Sequence, residues 1–390
     1  MRIGILTSVH TPLDTRVYFK QARSLARAGH EVVLVAREGG SPTGIEHVPL
    51  PVPRSRLARV GTNLRVLERA LHLRCDVYHL HDPELLPIGV LVKAVTGAQL
   101  VYDVHENVRH QILNKFWIAR PLRQMVARGY DLVERVCLRW VDRVVLAEDS
   151  YAAEYRAADF VVVRNYPILA AEPREQVERT YSGRPILAYV GMVTELRGGL
   201  EMLDAVAILK RRFLDVELRV IGPFLPDSFG NRMRERVAAL GLEESVRFFG
   251  RLPMDAALRE VRQCDVGLAL LHPDANYLES LPTKMFEYMS MRLPVVVSHF
   301  PLWKRIVETA GCGVAVDPCD PEAIAGAVAS ISATSSRLRE LGDRGRRAVV
   351  EQYSWAVEER KLLDLYTSLG TPKSRSQSAP EPVVSSGAQS

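Results

Sequence analysis

One short segment, residues 277–289, combines two acids, a lysine and the start of a predicted helix. Proline is tolerated only in the first turn of a helix, so Pro282 predicts a helix start, with Glu287 about one turn inside the helix. Glu279 then lies in the loop before it. Amides at a helix N-terminus bind anions, and Lys284 beside them is favourable only when an anion is bound. Acids on both sides of a bound phosphate match a nucleotide sugar, whose diphosphate joins a sugar to a ribose.

A second candidate phosphate contact follows the predicted strand 186–190. Gly191 lets the backbone approach a ligand, and the guanidinium of Arg197 offers a fixed fork of donors to phosphate oxygens. Taken alone, this segment also fits an ordinary strand–helix turn. It gains weight because a diphosphate site is already predicted at residues 277–289.

Histidines and acids follow three predicted strands of the N-terminal half. They are His10, Asp14 and Arg16 after the first strand, His79 and His81 around the end of a later one, and Asp103, His105 and Glu106 at the next. A third ligand at zinc spacing does not accompany His79 and His81, so hydrogen-bonded loop histidines are the better interpretation. The sequence contains no Asp-any-Asp triplet. We therefore predict no metal, and expect protein cations and a helix dipole to stabilise a leaving group.

Short apolar runs alternate with amphipathic helical stretches along most of the chain, which predicts parallel sheets covered on both faces. Predicted strands are 2–7, 31–36, 77–80, 100–104, 141–147, 160–163, 186–190, 217–221, 246–249, 266–270 and 294–298. Predicted helices are 17–28, 87–96, 200–213, 229–240, 254–263, 284–291 and a long helix from 321 onward.

The alternation of strands and helices is interrupted once, by a polar stretch between the two sets of strands. We predict an N-terminal acceptor-side domain (1–170), a linker (171–184), a donor-binding domain (185–353), a helix returning toward the first domain (354–370) and a disordered tail (371–390). The fold class is α/β, with two Rossmann-like doubly wound domains facing across a cleft. Ligands of such sheets bind beyond the carboxyl ends of the strands, so two substrates would meet in that cleft.

The two glutamates of residues 279–287, the Pro-Thr-Lys-Met-Phe-Glu-Tyr-Met between and after them, and Leu-Pro-Val-Val-Val-Ser at 293–298 resemble the family 4 glycosyltransferases. These are retaining enzymes of the GT-B fold, and the likeness is to their bacterial polysaccharide branch. The resemblance covers residues 1–368. It implies that Glu287 holds the nucleotide ribose and that Glu279 faces the hydroxyls of the donor sugar.

The same resemblance implies roles for other residues. The donor diphosphate would be bound by Gly191, Arg197, Ser280, Leu281, Thr283 and Lys284, and the base by Arg251 and Leu252. Met192 stands where many relatives have a further basic residue, so Arg197 and Lys284 would carry that role. His105 would lie near the anomeric carbon, with His10, Asp14, Arg16, His81 and Glu106 on the acceptor side.

The predicted function is transfer of a sugar, with retention, from a nucleotide-diphosphate sugar to a carbohydrate or lipid-linked acceptor. UDP or GDP is the expected nucleotide, no cofactor is expected, and cell-surface polysaccharide biosynthesis is the expected setting. Two alternatives share the motifs in part: a nucleotide-sugar 2-epimerase, and a non-catalytic partner that binds the nucleotide sugar. Epimerases share the two-domain fold, but they do not carry the Glu-to-Glu loop.

Composition and charge indicate the class of protein, its compartment and its possible partners. The 390 residues are 47% hydrophobic and 25% charged, with a net charge of +5, which is typical of a globular protein. Five scattered cysteines fit reduced thiols in a cytoplasmic protein. Residues 54–74 and 109–139 are rich in Arg and Lys, which suits either an anionic inner-membrane surface or a solvated basic face. Nucleic acid is not an expected partner, because the chain has no helix-turn-helix, RNP or zinc-finger pattern.

Overall fold

The computed structural model describes residues 1–53, 55–105, 108–114, 118–169, 183–212, 215–274, 277–278 and 280–370. The chain forms two parallel sheets. The first contains β1 (Arg2–Leu6), β2 (Glu31–Arg37), β3 (Glu46–Leu50), β4 (Val77–Leu80), β5 (Gln99–Val104), β6 (Arg143–Leu146) and β7 (Phe160–Val162). The second contains β8 (Ile186–Val190), β9 (Glu217–Ile221), β10 (Val246–Gly250), β11 (Val266–Ala269), β12 (Val295–Ser298) and β13 (Gly313–Val316).

Helices cover both faces of each sheet. In the first domain they are a π-helix (Thr15–Ala22), α1 (Arg23–Arg27), α2 (Arg56–Leu73), α3 (Leu86–Thr96), α4 (Val108–Asn114) and α5 (Arg120–Leu138). The second half of the chain adds α6 (Gly199–Arg211), α7 (Asp227–Leu240), α8 (Met254–Arg262), α9 (Thr283–Ser290), α10 (Pro301–Ala310), α11 (Pro321–Ile331), α12 (Ser335–Glu351) and α13 (Trp355–Gly370). The predicted α/β class with two doubly wound sheets is confirmed.

The order of the strands determines where ligands can enter. The first sheet runs β3-β2-β1-β4-β5-β6-β7 and the second β10-β9-β8-β11-β12-β13. The direction of winding therefore reverses between β1 and β4, and between β8 and β11. The loops that leave these strand pairs diverge, which opens a crevice at the carboxyl edge of each sheet. The loop containing His10 follows β1, His105 follows β5, and Gly191 follows β8 directly.

Apolar side chains on both faces of the strands hold each sheet between two cores. In β1, Ile3 and Ile5 pack into one core and Leu6 into the other. The core on the Ile3 side also contains Trp355 and Tyr366 from α13, the last helix of the described chain. The first domain is therefore completed by residues from the far end of the sequence.

Hydrogen bonds also hold α13 against the first domain. The indole of Trp355 donates to the Ser24 hydroxyl over 3.0 Å, and the Tyr366 hydroxyl lies 2.8 Å from Nδ1 of His79. Arg164, just after β7, hydrogen-bonds Glu358 of α13 through its backbone amide at 2.9 Å. The strand that leaves the first domain and the helix that returns to it are thus joined.

Several elements differ from the predictions. The edge strands β3 and β13 were not predicted: β13 has only four residues and begins with Gly313, and β3 contains Pro49, which is tolerated only at a sheet edge. The predicted long helix from 321 is two helices, because Thr334 caps α12 by accepting from the Arg337 amide over 3.2 Å. Most of the predicted linker and the whole tail, 371–390, lie outside the described residues.

A search of the described residues for a helix with the length and apolar character needed to cross a bilayer finds none.

Candidate active site

The loop after β1 is built around a carboxylate from the neighbouring strand. Asp82, which follows β4, accepts from the Thr7 hydroxyl at 3.0 Å and from the Ser8 backbone amide at 2.5 Å. At the other end of the loop, Asp14 accepts from the amide of Arg16 at 2.8 Å and so starts the π-helix. The loop that carries His10 is therefore held at both ends. Helical turns of this wide type are frequent at functional sites.

A second buried carboxylate, Asp103 near the end of β5, organises the histidines. It accepts from Arg16 Nη2 at 2.9 Å, from Gln21 Nε2 at 2.6 Å and faces His105 Nδ1 at 3.0 Å. Burial alone would raise the pKa of Asp103, but the Arg16 guanidinium and the histidines outweigh burial and hold that pKa well below its usual range. Asp103 is thus a permanent anion that fixes the His105 ring.

His10 extends the cluster toward the cleft. Its Nδ1 lies 3.2 Å from Asp14 Oδ2, and its Nε2 lies 3.2 Å from Nε2 of His105. The loops after β1 and β5 therefore place two imidazoles in direct contact at the carboxyl edge of the first sheet.

In the second domain, the start of α9 lies beside the cleft. The helix begins at Thr283, and no side chain of the described residues caps its N-terminus. The preceding loop is fixed from below, because the buried indole of Trp303 donates to the Ser280 carbonyl over 2.6 Å. The first-turn amides of α9 are therefore held in place without a side-chain acceptor, as an anion site requires.

Two cations meet above Gly191. The Lys284 ammonium lies 4.0 Å from the centre of the Tyr189 ring. A Cβ built on Gly191 would lie 3.6 Å from Lys284 Nζ and 3.8 Å from Arg197 Nη1. The φ of Gly191 is +119°, which side chains rarely adopt. Glycine at this position thus leaves open the space that both cations face.

The Lys284 ammonium is buried and has no hydrogen-bond partner in the described part of the chain. Burial, reinforced by the nearby Arg197 charge, lowers the pKa of Lys284 to about 7, although Glu287 opposes the shift. A buried cation without a hydrogen-bonding anion is costly, and a bound phosphate would remove that cost.

Glu287 faces the first domain as well as Lys284. Burial raises the pKa of Glu287, and the charges of Lys20 and Lys284 oppose the rise. Lys20, on the π-helix, is itself buried, and this burial lowers its pKa to about 7. Its ammonium donates to the side chain and the carbonyl of Asn165, at 2.5 and 3.1 Å. The sequence analysis missed Lys20 because its partners are far away along the chain.

A cavity of about 320 Å³ lies between the domains. Its lining includes His10, Asp14, Thr15, Arg16 and His105 from the first domain and Leu281, Thr283 and Phe286 from the second. Glu148, which follows β6, also lines it and was not predicted. Burial raises the pKa of Glu148 to about 7, and hydrogen bonding to the Leu281 amide opposes this rise. The cavity joins the histidine cluster to the start of α9.

Two acceptor-side predictions need correction. Arg16 reaches the cavity, but its guanidinium is buried and donates to Asp103 and to the Val163 carbonyl, so it has a structural task. His81 is 0% exposed and does not line the cavity, because the rings of His79 and His105 cover it.

Four further predicted positions have other outcomes. Glu106 and Glu279 lie outside the described residues. Arg251 is exposed and Leu252 packs partly against the core of the second domain; both follow β10 directly.

Within the described residues, His81, Asp103 and His105 form a set with potential metal-ligand atoms within 4.8 Å of one another. The Asp103 oxygens already accept from Arg16 and Gln21, and a guanidinium in contact would repel a metal cation. We interpret the set as an Asp103–His105 hydrogen bond against which the His81 ring packs; neither ring nitrogen of His81 has a hydrogen-bond partner among the described residues.

Two protein-family models match the chain in succession. Residues 15–168 match the glycosyl transferase 4-like domain, and residues 171–348 match the glycosyl transferases group 1. Together the matches span both sheets. The chain belongs to the family 4 glycosyltransferases, and its two facing α/β domains form the GT-B fold.

Known proteins agree with this assignment. The chain is 25% identical over 395 residues to a phosphatidyl-myo-inositol mannosyltransferase of Mycobacterium leprae strain TN, covering 97% of this chain and 100% of that protein. Sucrose-phosphate synthase from Thermosynechococcus elongatus has a similar structure, with a TM-score of 0.71 at 20% identity over 94% of this chain and 98% of that one. HepE from Anabaena, solved with UDP and glucose, has a TM-score of 0.70 at 15% sequence identity, covering 94% of this chain and 100% of that one.

The chain is therefore a glycosyltransferase, as predicted. The comparisons do not favour the epimerase or the non-catalytic alternative.

Proposed function

We propose that this enzyme takes its sugar from a nucleotide-diphosphate sugar whose diphosphate binds between Lys284, Arg197 and Gly191. The observation that carries this proposal is the buried Lys284 ammonium, which has no hydrogen-bond partner among the residues described. Ser280, Leu281 and Thr283 border the same site at the start of α9, where the Thr283 amide supplies a further donor, while the amides of Ser280 and Leu281 donate to the Tyr277 carbonyl and to Glu148. Two fixed cations and a helix N-terminus can stabilise the charge that develops on a leaving diphosphate without reorganising.

The remaining donor contacts follow from the position of α9. Glu287 lies one turn inside the helix and accepts hydrogen bonds from the ribose hydroxyls, while Arg251 and Leu252 contact the base. His105 and Glu279 orient the sugar near the anomeric carbon. No cofactor takes part. The acceptor attacks from the face that the nucleotide leaves, and a phosphate oxygen takes up its proton, which gives retention.

The acceptor side of the cleft carries His10 and Asp14, and Glu106 is a further predicted acceptor contact. Several relatives act on lipid or phosphate-bearing acceptors by name, such as the phosphatidyl-myo-inositol mannosyltransferases and the D-inositol 3-phosphate glycosyltransferase of Corynebacterium glutamicum. We infer a lipid-linked or carbohydrate acceptor for this chain as well, in the biosynthesis of a glycolipid or cell-surface polysaccharide.

The outer surface of α5 supports a membrane-bound acceptor. Apolar side chains recur along one stripe of this helix and are exposed: Leu122, Met125, Val126, Leu132, Val133 and Val136, followed by Trp140. Four arginines accompany them within the helix. A helix with an exposed apolar stripe and Arg side chains suits the surface of an anionic bilayer. We propose peripheral contact with the cytoplasmic membrane face, where a lipid-linked acceptor would be presented.

A thermal-shift screen against UDP-, GDP-, ADP- and dTDP-sugars tests the donor assignment. A ligand that binds only the folded protein raises its melting temperature with occupancy. We expect one nucleotide class to raise it, and Arg197→Ala and Glu287→Ala to remove both the shift and sugar transfer. Arg339→Ala, on the exposed surface of α12, is the matched control and should keep both. Undiminished binding and transfer in the Arg197 and Glu287 variants would refute the donor site.

A further inference from the structure

Two imidazoles lie end to end between two carboxylates at the edge of the first sheet. The order is Asp14, His10, His105, Asp103, and the successive contacts measure 3.2, 3.2 and 3.0 Å. The central contact joins Nε2 of one ring to Nε2 of the other. This row of four side chains, which we name the histidine row, comes from the loop after β1 and the end of β5.

Each contact in the histidine row needs one proton. Asp14 and Asp103 are ionised: burial would raise both pKa values, but contact with His10 lowers that of Asp14, and contact with Arg16 lowers that of Asp103. A carboxylate only accepts hydrogen bonds, so both Nδ1 atoms must carry a proton. Two rings protonated only at Nδ1 would then face each other with two Nε2 lone pairs at 3.2 Å, which is repulsive.

One additional proton between the Nε2 atoms removes this repulsion. The two rings then hold three protons instead of two, and together they carry one positive charge. We propose that His10 is a positioning residue that shares this proton with His105 and thereby fixes the His105 ring against the donor sugar. The inference rests on the proposed function for the role of His105, but the proton count rests on the geometry of the row.

The surroundings favour the extra charge. Charged and titratable groups surround the row on all the described elements that pack against it: Asp14, Arg16, Lys20, Arg37, His79, His81, Asp82, Glu84 with its partner Arg59, Asp103 and Glu148. Asp82 Oδ1 lies 3.6 Å from Nε2 of His10. Burial lowers the pKa of His79 to about 4 and holds that of His81 well below its usual value, so both are neutral at physiological pH. Among the described residues, three carboxylates lie within 3.6 Å of a ring nitrogen of the row, those of Asp14, Asp82 and Asp103, and they outnumber the one guanidinium that contacts the row directly, that of Arg16.

Loss of the shared proton at high pH would leave two lone pairs in contact and displace His105. We therefore expect the turnover of the enzyme to fall on the alkaline side. His10→Gln places an amide near the position of Nε2, and an amide N–H donates at any pH. This variant should keep His105 in place where the wild-type protein loses it, whereas His10→Ala supplies no donor at all.

The first test counts protons without substrate, by long-range ¹H–¹⁵N correlation of the histidine rings in the full chain. We expect three ring protons on the His10–His105 pair below pH 7, and a His105 ring protonated only at Nδ1 in His10→Gln. The exposed ring of His72, whose Nδ1 lies 2.7 Å from the Glu68 carbonyl, serves as the reference for a ring outside the histidine row. Two protons on the pair throughout this range would overturn the proposal.

The second test measures hydrolysis of GDP-mannose and UDP-glucose as a function of pH. His10→Ala should lower kcat about tenfold with KM within about twofold, the equivalent of roughly 1.4 kcal/mol. His10→Gln should restore kcat and remove its alkaline fall, and His72→Gln should behave like the wild-type protein. An unchanged kcat in His10→Ala, or the same alkaline fall in His10→Gln, would contradict the positioning role. If His105→Ala kept full activity while three protons were counted, the proposed function of His105 would fail and the shared proton would stand.

Discussion

The two sides of the cleft treat buried charge differently. In the first domain, Asp103 accepts hydrogen bonds from Arg16 and Gln21 and faces His105. In the second, the Lys284 ammonium meets only an aromatic ring, the Arg197 charge and Glu287, and no described residue accepts its hydrogen bonds. The first domain has therefore satisfied its charges internally and holds a fixed shape. The second has left its cations available to a ligand.

The largest expected effect comes from removing the buried ion pair between Asp103 and Arg16 in the first domain. Asp103→Asn removes the charge that pairs with buried Arg16, and loss of one partner from a buried ion pair costs about 3–5 kcal/mol. We expect the free energy of unfolding of the first domain to fall by that amount in urea titration. Asp149→Asn, which weakens an exposed ion pair with Arg164, should change it by less than about 1 kcal/mol. Equal losses in both variants would remove the distinction between the two sides.

The next largest effect is expected in the second domain, where the Lys284 ammonium is available to a ligand. Lys284→Met removes the buried ammonium but keeps most of its length, and loss of one preorganised charge at a reacting centre costs about 10²–10³-fold in rate. Sugar transfer should fall by that factor in steady-state assays. The same variant should raise the melting temperature of the ligand-free protein, because a buried cation is no longer desolvated. Lys210→Met, on an exposed side chain, should change neither quantity.

The pH dependence of donor binding follows from the same lysine. In the empty site the pKa of Lys284 is about 7, well below its ordinary 10.5. A bound diphosphate favours the charged form and raises this pKa, so binding takes up a proton above pH 7. Donor affinity should be full below pH 7 and weaken up to about tenfold per pH unit above it. Calorimetry in buffers of different ionisation enthalpy measures the proton uptake, and Lys284→Met should abolish it.

The stability of the ligand-free protein should depend on pH in the opposite direction to donor affinity. Between pH 7 and 10.5, the unfolded chain binds a proton at Lys284 that the folded protein lacks, so the contribution of this group to stability increases with pH. Urea titrations should show this increase in the wild-type protein and a smaller one in Lys284→Met. An identical pH dependence in both proteins would show that the ammonium is not desolvated.

The smallest effect concerns the outer surface, where the first domain exposes apolar side chains instead of burying them. Leu132→Gln on α5 should weaken sedimentation with phosphatidylglycerol vesicles about fivefold, or roughly 1 kcal/mol. Val95→Gln on α3 is matched in exposure, at 65% against 66% for Leu132, and should have no effect. Binding to phosphatidylcholine vesicles should be weak throughout. Equal losses in both variants would argue against a membrane role for α5.

Sequence reasoning predicted the elements whose signal is local. The strands β4, β8 and β9 have their predicted ends, because turn residues bound them, such as Asp76 before β4, Gly191 after β8 and Gly222 after β9. The start of α9 followed from Pro282, and this placed Lys284 and Glu287 on one helix. The edge strand β3 contains polar residues and Pro49, and the edge strand β13 is a run of only four residues that begins with Gly313. Their formation depends on a neighbouring strand that supplies hydrogen-bond partners.

Contacts between distant parts of the chain could not be read in this way. Lys20 became a candidate only when the fold brought it to Asn165, 145 residues later. Arg16 was predicted to contact the acceptor, yet its partner Asp103 is 87 residues away and lies on a different strand. A residue's chemistry suggests what it can bind, but only the fold determines which partner reaches it first.

The return of α13 has a consequence for how this protein is made. The histidine at position 79 leaves the ribosome early, but the tyrosine that closes over it follows 287 residues later. The first sheet is thus translated first and completed last. Until the C-terminal helix emerges, the nascent N-terminal half exposes the apolar face that α13 will cover.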